Sequence, residues 1–250
     1  MKNFKFLAAV CCMVAVFAAC EKNEPSDNTN GNGVNTDQND GTNTDQNDGN
    51  SNSGNNNATD TNGHDYVDLG LSVKWATCNV GAELPNGYGN YYAWGETEPK
   101  TTYDWSTYFD TTDGGSTFTK YTTDGKTVLD LEDDAARANW GGSWRMPTDA
   151  EWTELRVNCT WTWTDDYNGT GVRGRIVTSN INGNSIFLPA AGFRYYDNFD
   201  GLDVYGDYWS SSLSTDSPEH AWNVYFLSDN LSRDTGARCF GQSVRPVLGE

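Results

Sequence analysis

The sequence predicts an α+β domain in which short strands outnumber two short helices, set behind a disordered stalk. Three observations carry this expectation. Short stretches alternating apolar and polar residues, rich in aromatic and β-branched side chains, recur between residues 66 and 248. Helical signals occur in two segments only. Gly, Asn and Asp fill the gaps between stretches, as turns require.

The chain opens "MKNFKFLAAVCCMVAVFAAC", with Lys2 and Lys5 ahead of an apolar run too short for a membrane span. Residues 1–19 read as an export signal. The run closes on Phe17-Ala18-Ala19-Cys20, which resembles the lipobox of bacterial lipoproteins. That resemblance implies cleavage before Cys20 and acylation of its sulfur; the alternative is ordinary cleavage near Ala19 with Cys20 incidental. Anchoring by more than one acyl chain is firm, since each buried methylene adds about 0.8 kcal/mol.

Residues 20–63 form the stalk. Beyond Cys20, Val34 and Ala58 are almost their only apolar side chains, and "NTDQNDG" occurs at 35–41 and again at 43–49. Such a segment cannot offset its chain entropy. The spacing of Asp37, Asn39, Asp40 and Gly41 misses the calcium-loop pattern by one position. As a coil, the stalk spans about 35–40 Å.

All ten Trp and thirteen Tyr fall after residue 63, so residues 64–250 carry the fold. They hold 27 acidic against 13 basic residues, a net of −14. A field of that sign repels phosphate, which sets nucleic acid aside as a partner. Strands are expected at "YVDLG", "VKWATCNV", "NYYAWGE", "GRIVTSN", "SIFLPAAGFR", "DYWSSSL", "AWNVYFL" and "SVRPVL", and turns through "YDNFDGLDVYGD" and "SDNLSRDTGARC". The first helix is expected in "LEDDAARANW", with Asp133 and Asp134 near its positive end and Trp140 before Gly141-Gly142. The second follows Pro147: Thr148 and Glu151, three apart, make a capping box, Asp149 favours the helix dipole, and Trp152 and Leu155 share a buried face.

Cys78, Cys159 and Cys239 remain after processing. One disulfide among them, or three buried thiols, both fit an exported chain. His64 and His220, the only histidines, offer little for a nucleophile and base pair, and His220 reads as an exposed loop residue. "DNFDGLD" supplies Asp197, Asn198, Asp200 and Asp203, but turn formation accounts for them without calcium. No metal, cofactor or catalytic residue is expected.

"YVDLGLSVKWATCNVGA", "YYAWGET", "DDAARANWGGSWRMPTDAEWTEL", "NSIFLPAAGFR", "YWSSS" and "GQSVRPV", in that order from Tyr66 to Val247, together resemble the Fibrobacter succinogenes major paralogous domain of Bacteroides-type surface lipoproteins. That family is similar to the C-type-lectin-like fold of formylglycine-generating enzymes, whose R-L-P-T-E-A-E-W "WRMPTDAEW" resembles. The resemblance implies a twisted antiparallel sheet, two short helices and long loops. It makes Trp144, Trp152 and Trp209 core wedges, and Arg245 a buried partner for a carboxylate or carbonyl. The enzymes' copper-holding cysteine pair has no counterpart here, so a non-catalytic domain is expected.

The same resemblance places a ligand face before the last strand. The expected contacts are Asn223, Tyr225, Arg233, Asp234 and Phe240, with Tyr195, Tyr196 and Asp197 from the neighbouring loop. The expected partners are the membrane, through the lipid anchor, and an extracellular glycan or protein. A structural or adhesin role in a surface assembly is the alternative. Asp110-Thr111-Thr112 resembles the O-glycosylation motif of such exported proteins, with Thr111 as acceptor. "EKNE" after Cys20 resembles the signals that send such lipoproteins to the outer face of the outer membrane; inner-leaflet attachment facing the periplasm is the alternative. Labelled palmitate should enter the intact chain and be lost in Cys20→Ala; label retained by that variant overturns the anchor.

Overall fold

The computed structural model describes residues 57–111, 113–122 and 124–249. The export signal, Cys20 and the stalk as far as residue 56 lie outside the described residues. Residues 57–63, expected in the stalk, instead belong to the folded domain. They open with strand β1 (Asn57–Thr59), which pairs with β2 (Asp65–Val67).

Along the chain follow β3 (Lys74–Ala76), β4 (Tyr91–Tyr92), helix α1 (Ala135–Trp140), β5 (Trp144–Arg145), helix α2 (Asp149–Asn158) and β6 (Cys159–Thr164). Then come β7 (Gly174–Ser179), β8 (Ser185–Pro189), β9 (Phe193–Tyr195), β10 (Asn198–Asp200) and β11 (Gly206–Leu213). The last are β12 (His220–Phe226), β13 (Leu231–Ala237), β14 (Gln242–Ser243) and β15 (Val247–Leu248). The fold is α+β, mostly sheet. No helix among the described residues is long and apolar enough to cross a membrane.

One sheet runs β1-β2-β3-β15-β5, a second β13-β12-β11-β14-β4 and a third β6-β7-β8, with β9 and β10 as a separate hairpin. Pairing between these strands is antiparallel except where Tyr208 of β11 meets Ser243 of β14, and an isolated parallel bridge joins Gly192 to Gly206. Five strands depart from expectation: β1, in the expected stalk, β5, just before α2, and three more. β6 arises in "NCTWTW"; β10 and β13 lie inside the two stretches read as turns. β13 is the outer strand of its sheet, so its side chains need no apolar alternation.

The capping box at α2 is present. Thr148 Oγ1 accepts from the Glu151 N–H at 3.2 Å, and Glu151 Oε2 accepts from the Thr148 N–H at 2.7 Å. Glu151 also takes both terminal nitrogens of the Arg145 guanidinium, at 2.6 and 2.8 Å. Burial raises its carboxyl, but the Arg145 and Thr148 bonds outweigh that and hold it below the usual range. Glu151 of "WRMPTDAEW" therefore secures a backbone amide and an arginine. Trp152 and Leu155 are buried in a cluster with Trp75, Tyr208, Val224, Phe226 and Val247, each worth roughly 1.5–3 kcal/mol. Asp134 caps α1 by accepting from the Arg137 N–H at 3.0 Å.

Trp144, Trp152 and Trp209 are all buried and donate their indole N–H to Asp60 Oδ2, the Trp209 carbonyl and the Tyr92 carbonyl respectively. Asp60 also accepts from the N–H groups of Asn62 and His64, and the His64 ring stacks on Trp140 at 3.9 Å. This latch fastens the turn after β1.

Two arginines are wholly buried. Arg245 donates to the carbonyls of Ala76, Thr77 and Phe187 and to Asn79 Oδ1, at 2.8–3.0 Å, and meets no carboxylate among the described residues. Arg238 pairs with Asp110 at 2.8 Å, both side chains fully enclosed, among the rings of Phe118 and Trp94. Removing one partner of such a pair leaves an uncompensated charge. Asp110→Asn should therefore lower stability by roughly 3–5 kcal/mol in urea denaturation. A midpoint and slope equal to the parent's would refute that role.

Candidate functional site

The eight expected contact residues separate into two groups. Tyr195, Tyr196, Asp197 and Phe240 gather at the β9–β10 hairpin. Asn223, Tyr225, Arg233 and Asp234 lie on β12 and β13.

At the hairpin, alternation puts Phe193 and Tyr195 on one side of β9 and Arg194 on the other. Phe240 packs against both, 5.1 Å from Phe193 and 5.0 Å from Tyr195 between ring centres. Tyr195 continues onto Tyr196 at 4.3 Å. In the other direction Phe193 meets Tyr205 at 6.3 Å, and Tyr205 meets Tyr225 at 5.2 Å. Six aromatic rings thus form an unbroken row. Tyr195 and Tyr196 are 41% and 48% exposed, and the other four rings are half-buried.

Tyr196 holds the row's end in place through its backbone. Its φ is +53°, a left-handed conformation unusual for a bulky residue. Reciprocal 2.8 Å hydrogen bonds between its backbone and that of Tyr103 enforce this geometry. At the other end Gly201, at φ +70°, lies against the Tyr205 ring, where a Cβ would come within 2.0 Å of the ring carbons.

Beside Tyr195 and Tyr196 opens a cleft of about 690 Å³, lined also by Asp104, Trp105, Ser106, Thr111 and Gly114. Sequence reasoning missed Trp105, Asp104 and Ser106, which come from a segment some ninety residues earlier in the chain. Trp105 packs edge-on to Tyr108 at 5.6 Å and rests on Gly115, where a Cβ would stand 2.6 Å from the indole. Asp104 Oδ1 accepts from the Ser106 hydroxyl at 2.7 Å and from the N–H groups of Ser106 and Thr107. The Ser106 hydroxyl is the main cause of a lowered Asp104 carboxyl pKa. Thr111 Oγ1 donates to Asp113 and accepts from the Gly115 N–H, while Asp110 beside it is the buried partner of Arg238.

In the second group, Arg233 and Asn223 are engaged within the fold, against the sequence expectation for these two. Arg233 grips Asp149 of α2 at 2.6 and 2.9 Å and lies 3.1 Å over the Trp222 ring. Asn223 is buried, donating to Asp207 at 2.7 Å and to Gln242 at 3.3 Å, because both faces of β12 are covered at that position. Asp234 accepts from the Thr235 N–H on the outer strand. Tyr225 alone of the four joins the row. Asp197 is exposed, and its Oδ1 accepts from Asn198 at 3.2 Å.

The oxygens of "DNFDGLD" disperse rather than converge: Asp200 accepts from the Tyr205 hydroxyl at 2.9 Å, and Asp203 from Tyr88. Among the described residues the carboxylates that do cluster are Asp130, Glu132 and Asp133, and Lys120 already pairs with Asp133 at 2.7 Å. Cys78, Cys159 and Cys239 are free and buried. Burial pushes the Cys159 thiol up to about 11 and the Cys239 thiol up to about 12, so both stay protonated near neutral pH. His220 begins β12, half-buried, rather than standing in a loop.

No family model, curated protein or solved structure matches the chain.

Asp207, on β11 beside the row, is buried with Asn223 as its hydrogen-bond donor and no cation. Burial raises its carboxyl pKa well above the ordinary value, and the nearby Asp234 charge adds to this. Between the ordinary carboxylate range, near 4, and that raised value, the folded chain binds more protons than the unfolded one. The stability Asp207 contributes is therefore whole below about pH 4 and is lost as pH rises through the folded value. Asp207→Asn should raise the denaturation midpoint at neutral pH and flatten its pH dependence. An unchanged pH profile would show that Asp207 is not the titrating group.

Proposed function

We propose that the chain is a lipid-anchored cell-surface protein of the Fibrobacter major paralogous type. Its C-type-lectin-like domain displays a non-catalytic binding site for an extracellular glycan or protein, and the anchor ties it to the outer membrane. The observation that carries the binding reading is the aromatic row from Tyr196 to Tyr225 with the Trp105 cleft at one end. Aromatic faces left half-open and backed by a rigid hairpin bury large area at little entropic cost when a ligand covers them.

The same residues argue against catalysis. Cys159 and Cys239 are protonated and enclosed, and the carboxylates nearest the row are engaged by hydroxyls and amides within the fold. What remains is surface for recognition. Lipobox, stalk and six ordered motifs support the placement at the cell surface.

The test is an array of glycans and extracellular proteins probed with the full chain, with and without calcium. Saturable binding should fall roughly tenfold in Trp105→Ala and in Tyr195→Ala, each replacement removing a ring worth about 1 kcal/mol or more. Arg233→Ala, which breaks the Asp149 pair away from the row, should leave affinity unchanged. Binding that survives both ring replacements and is lost with Arg233 would move the site to β13.

A further inference from the structure

We infer that the aromatic row takes an uncharged, linear glycan several sugar units long, laid lengthwise from Tyr225 toward Tyr196 with one end in the Trp105 cleft. This deepens the binding reading above and rests on it.

The first argument is shape. A single small ligand needs one cavity, and the 690 Å³ cleft would serve it alone. Here the cleft is continued by Tyr195, Phe240, Phe193, Tyr205 and Tyr225, each in ring contact with the next. Repeated flat apolar surfaces suit a ligand that repeats a flat apolar surface. A pyranose chain does so, with C–H faces for the rings and a rim of hydroxyls for the polar groups between them. Those groups are present: the Tyr205 hydroxyl and Asp200 along the row, and Asp104, Ser106 and Thr111 in the cleft.

The second argument is charge. The ionisable groups bearing on Tyr225 and Tyr205 are Asp200, Asp207, Asp229 and Asp234, and Asp104 lies in the cleft. The nearest cations are committed elsewhere. Arg194 lies over Phe199 and Tyr103 and donates to the carbonyls of Thr101 and Asp197. Lys100 is held by Glu96 and the Thr107 carbonyl. A uronate or sulfated chain would meet more acids than cations, since Arg194 is, among the described residues, the one guanidinium at the hairpin without a carboxylate partner. A basic peptide would meet carboxylates whose lone pairs are already partly taken within the fold. Asp200 is bonded to Tyr205, Asp207 is enclosed with Asn223, and Asp104 Oδ1 is spent on its own turn. A neutral chain is the occupant that leaves all of these bonds intact.

Calorimetry on the full chain would use neutral cello-, manno- and xylo-oligosaccharide series from the disaccharide upward, with polygalacturonate, heparin and polylysine beside them. At least one neutral series should bind, with affinity rising with chain length to a plateau, while polygalacturonate and heparin do not. Tyr225→Ala, at the far end, should weaken the longest oligomers roughly three- to tenfold and leave the disaccharide unchanged. Tyr225→Phe, which keeps the ring, should restore the parent's length dependence. Length-independent affinity, binding of an anionic polymer, or binding of polylysine alone would each overturn the inference. If no neutral series binds but a protein partner does, and Tyr195→Ala abolishes that contact, the glycan assignment fails while the binding reading stands. If Tyr195→Ala alters no interaction of any kind, both fail.

Discussion

The enclosed ion pair between Arg238 and Asp110 is the constraint on which the site depends. A guanidinium cannot stay in the interior without compensation, and this one takes a single carboxylate from a segment 128 residues earlier in the chain. Asp110 extends the order outward by accepting from the N–H groups of Thr119 and Lys120. Arg238 Nε meets the Tyr108 hydroxyl at 3.0 Å, and Phe118 and Trp94 close over the charge. The described residues between Tyr103 and Tyr121 are thereby tied to the interior through Tyr108, Asp110, Thr119 and Lys120. Trp105 and Asp104 hang from that stretch, so the cleft inherits its shape from an enclosed charge.

Arg245 solves the same problem differently. Its partners are carbonyls and an amide oxygen, each neutral, which bind residues near β3, near the end of the chain and on β8 into one knot. The expectation of a carboxylate or carbonyl partner is met by the carbonyls. Together the two arginines show how a strongly acidic chain uses its few cations in the interior, as cross-links between segments distant in sequence.

Local chemistry was legible in the sequence and distant chemistry was not. The capping box at Thr148 and Glu151 was readable because both partners lie within one helical turn, and the burial of Trp152 and Leu155 followed from the same periodicity. β13 was unreadable because an outer strand needs no apolar alternation, so "LSRDTGA" looks like a turn. Arg233 and Asp149 looked like independent surface charges until the sheet brought β13 beside α2. Tyr195, Tyr196, Tyr225 and Phe240 were chosen from two separate segments and do meet in one row, whereas Trp105 carries no local sign that it faces Tyr195. Asn223 alternates as a surface residue would, but burial on both faces of β12 turns it into an internal bond to Asp207.

The latch at Asp60 has a mechanical consequence. β1 holds to the domain by three residue pairs at the rim of its sheet, Asn57 with Val67, Ala58 with Tyr66 and Thr59 with Asp65. A pull on that end can peel these pairs away one after another. The next residue, Asp60, is bound simultaneously by the Trp144 indole and by two backbone amides, with the His64 ring clamped on Trp140 just behind. Traction applied at Asn57 would therefore open β1 by a short step before reaching a stop at Asp60, and the ring-lined surface would keep its form.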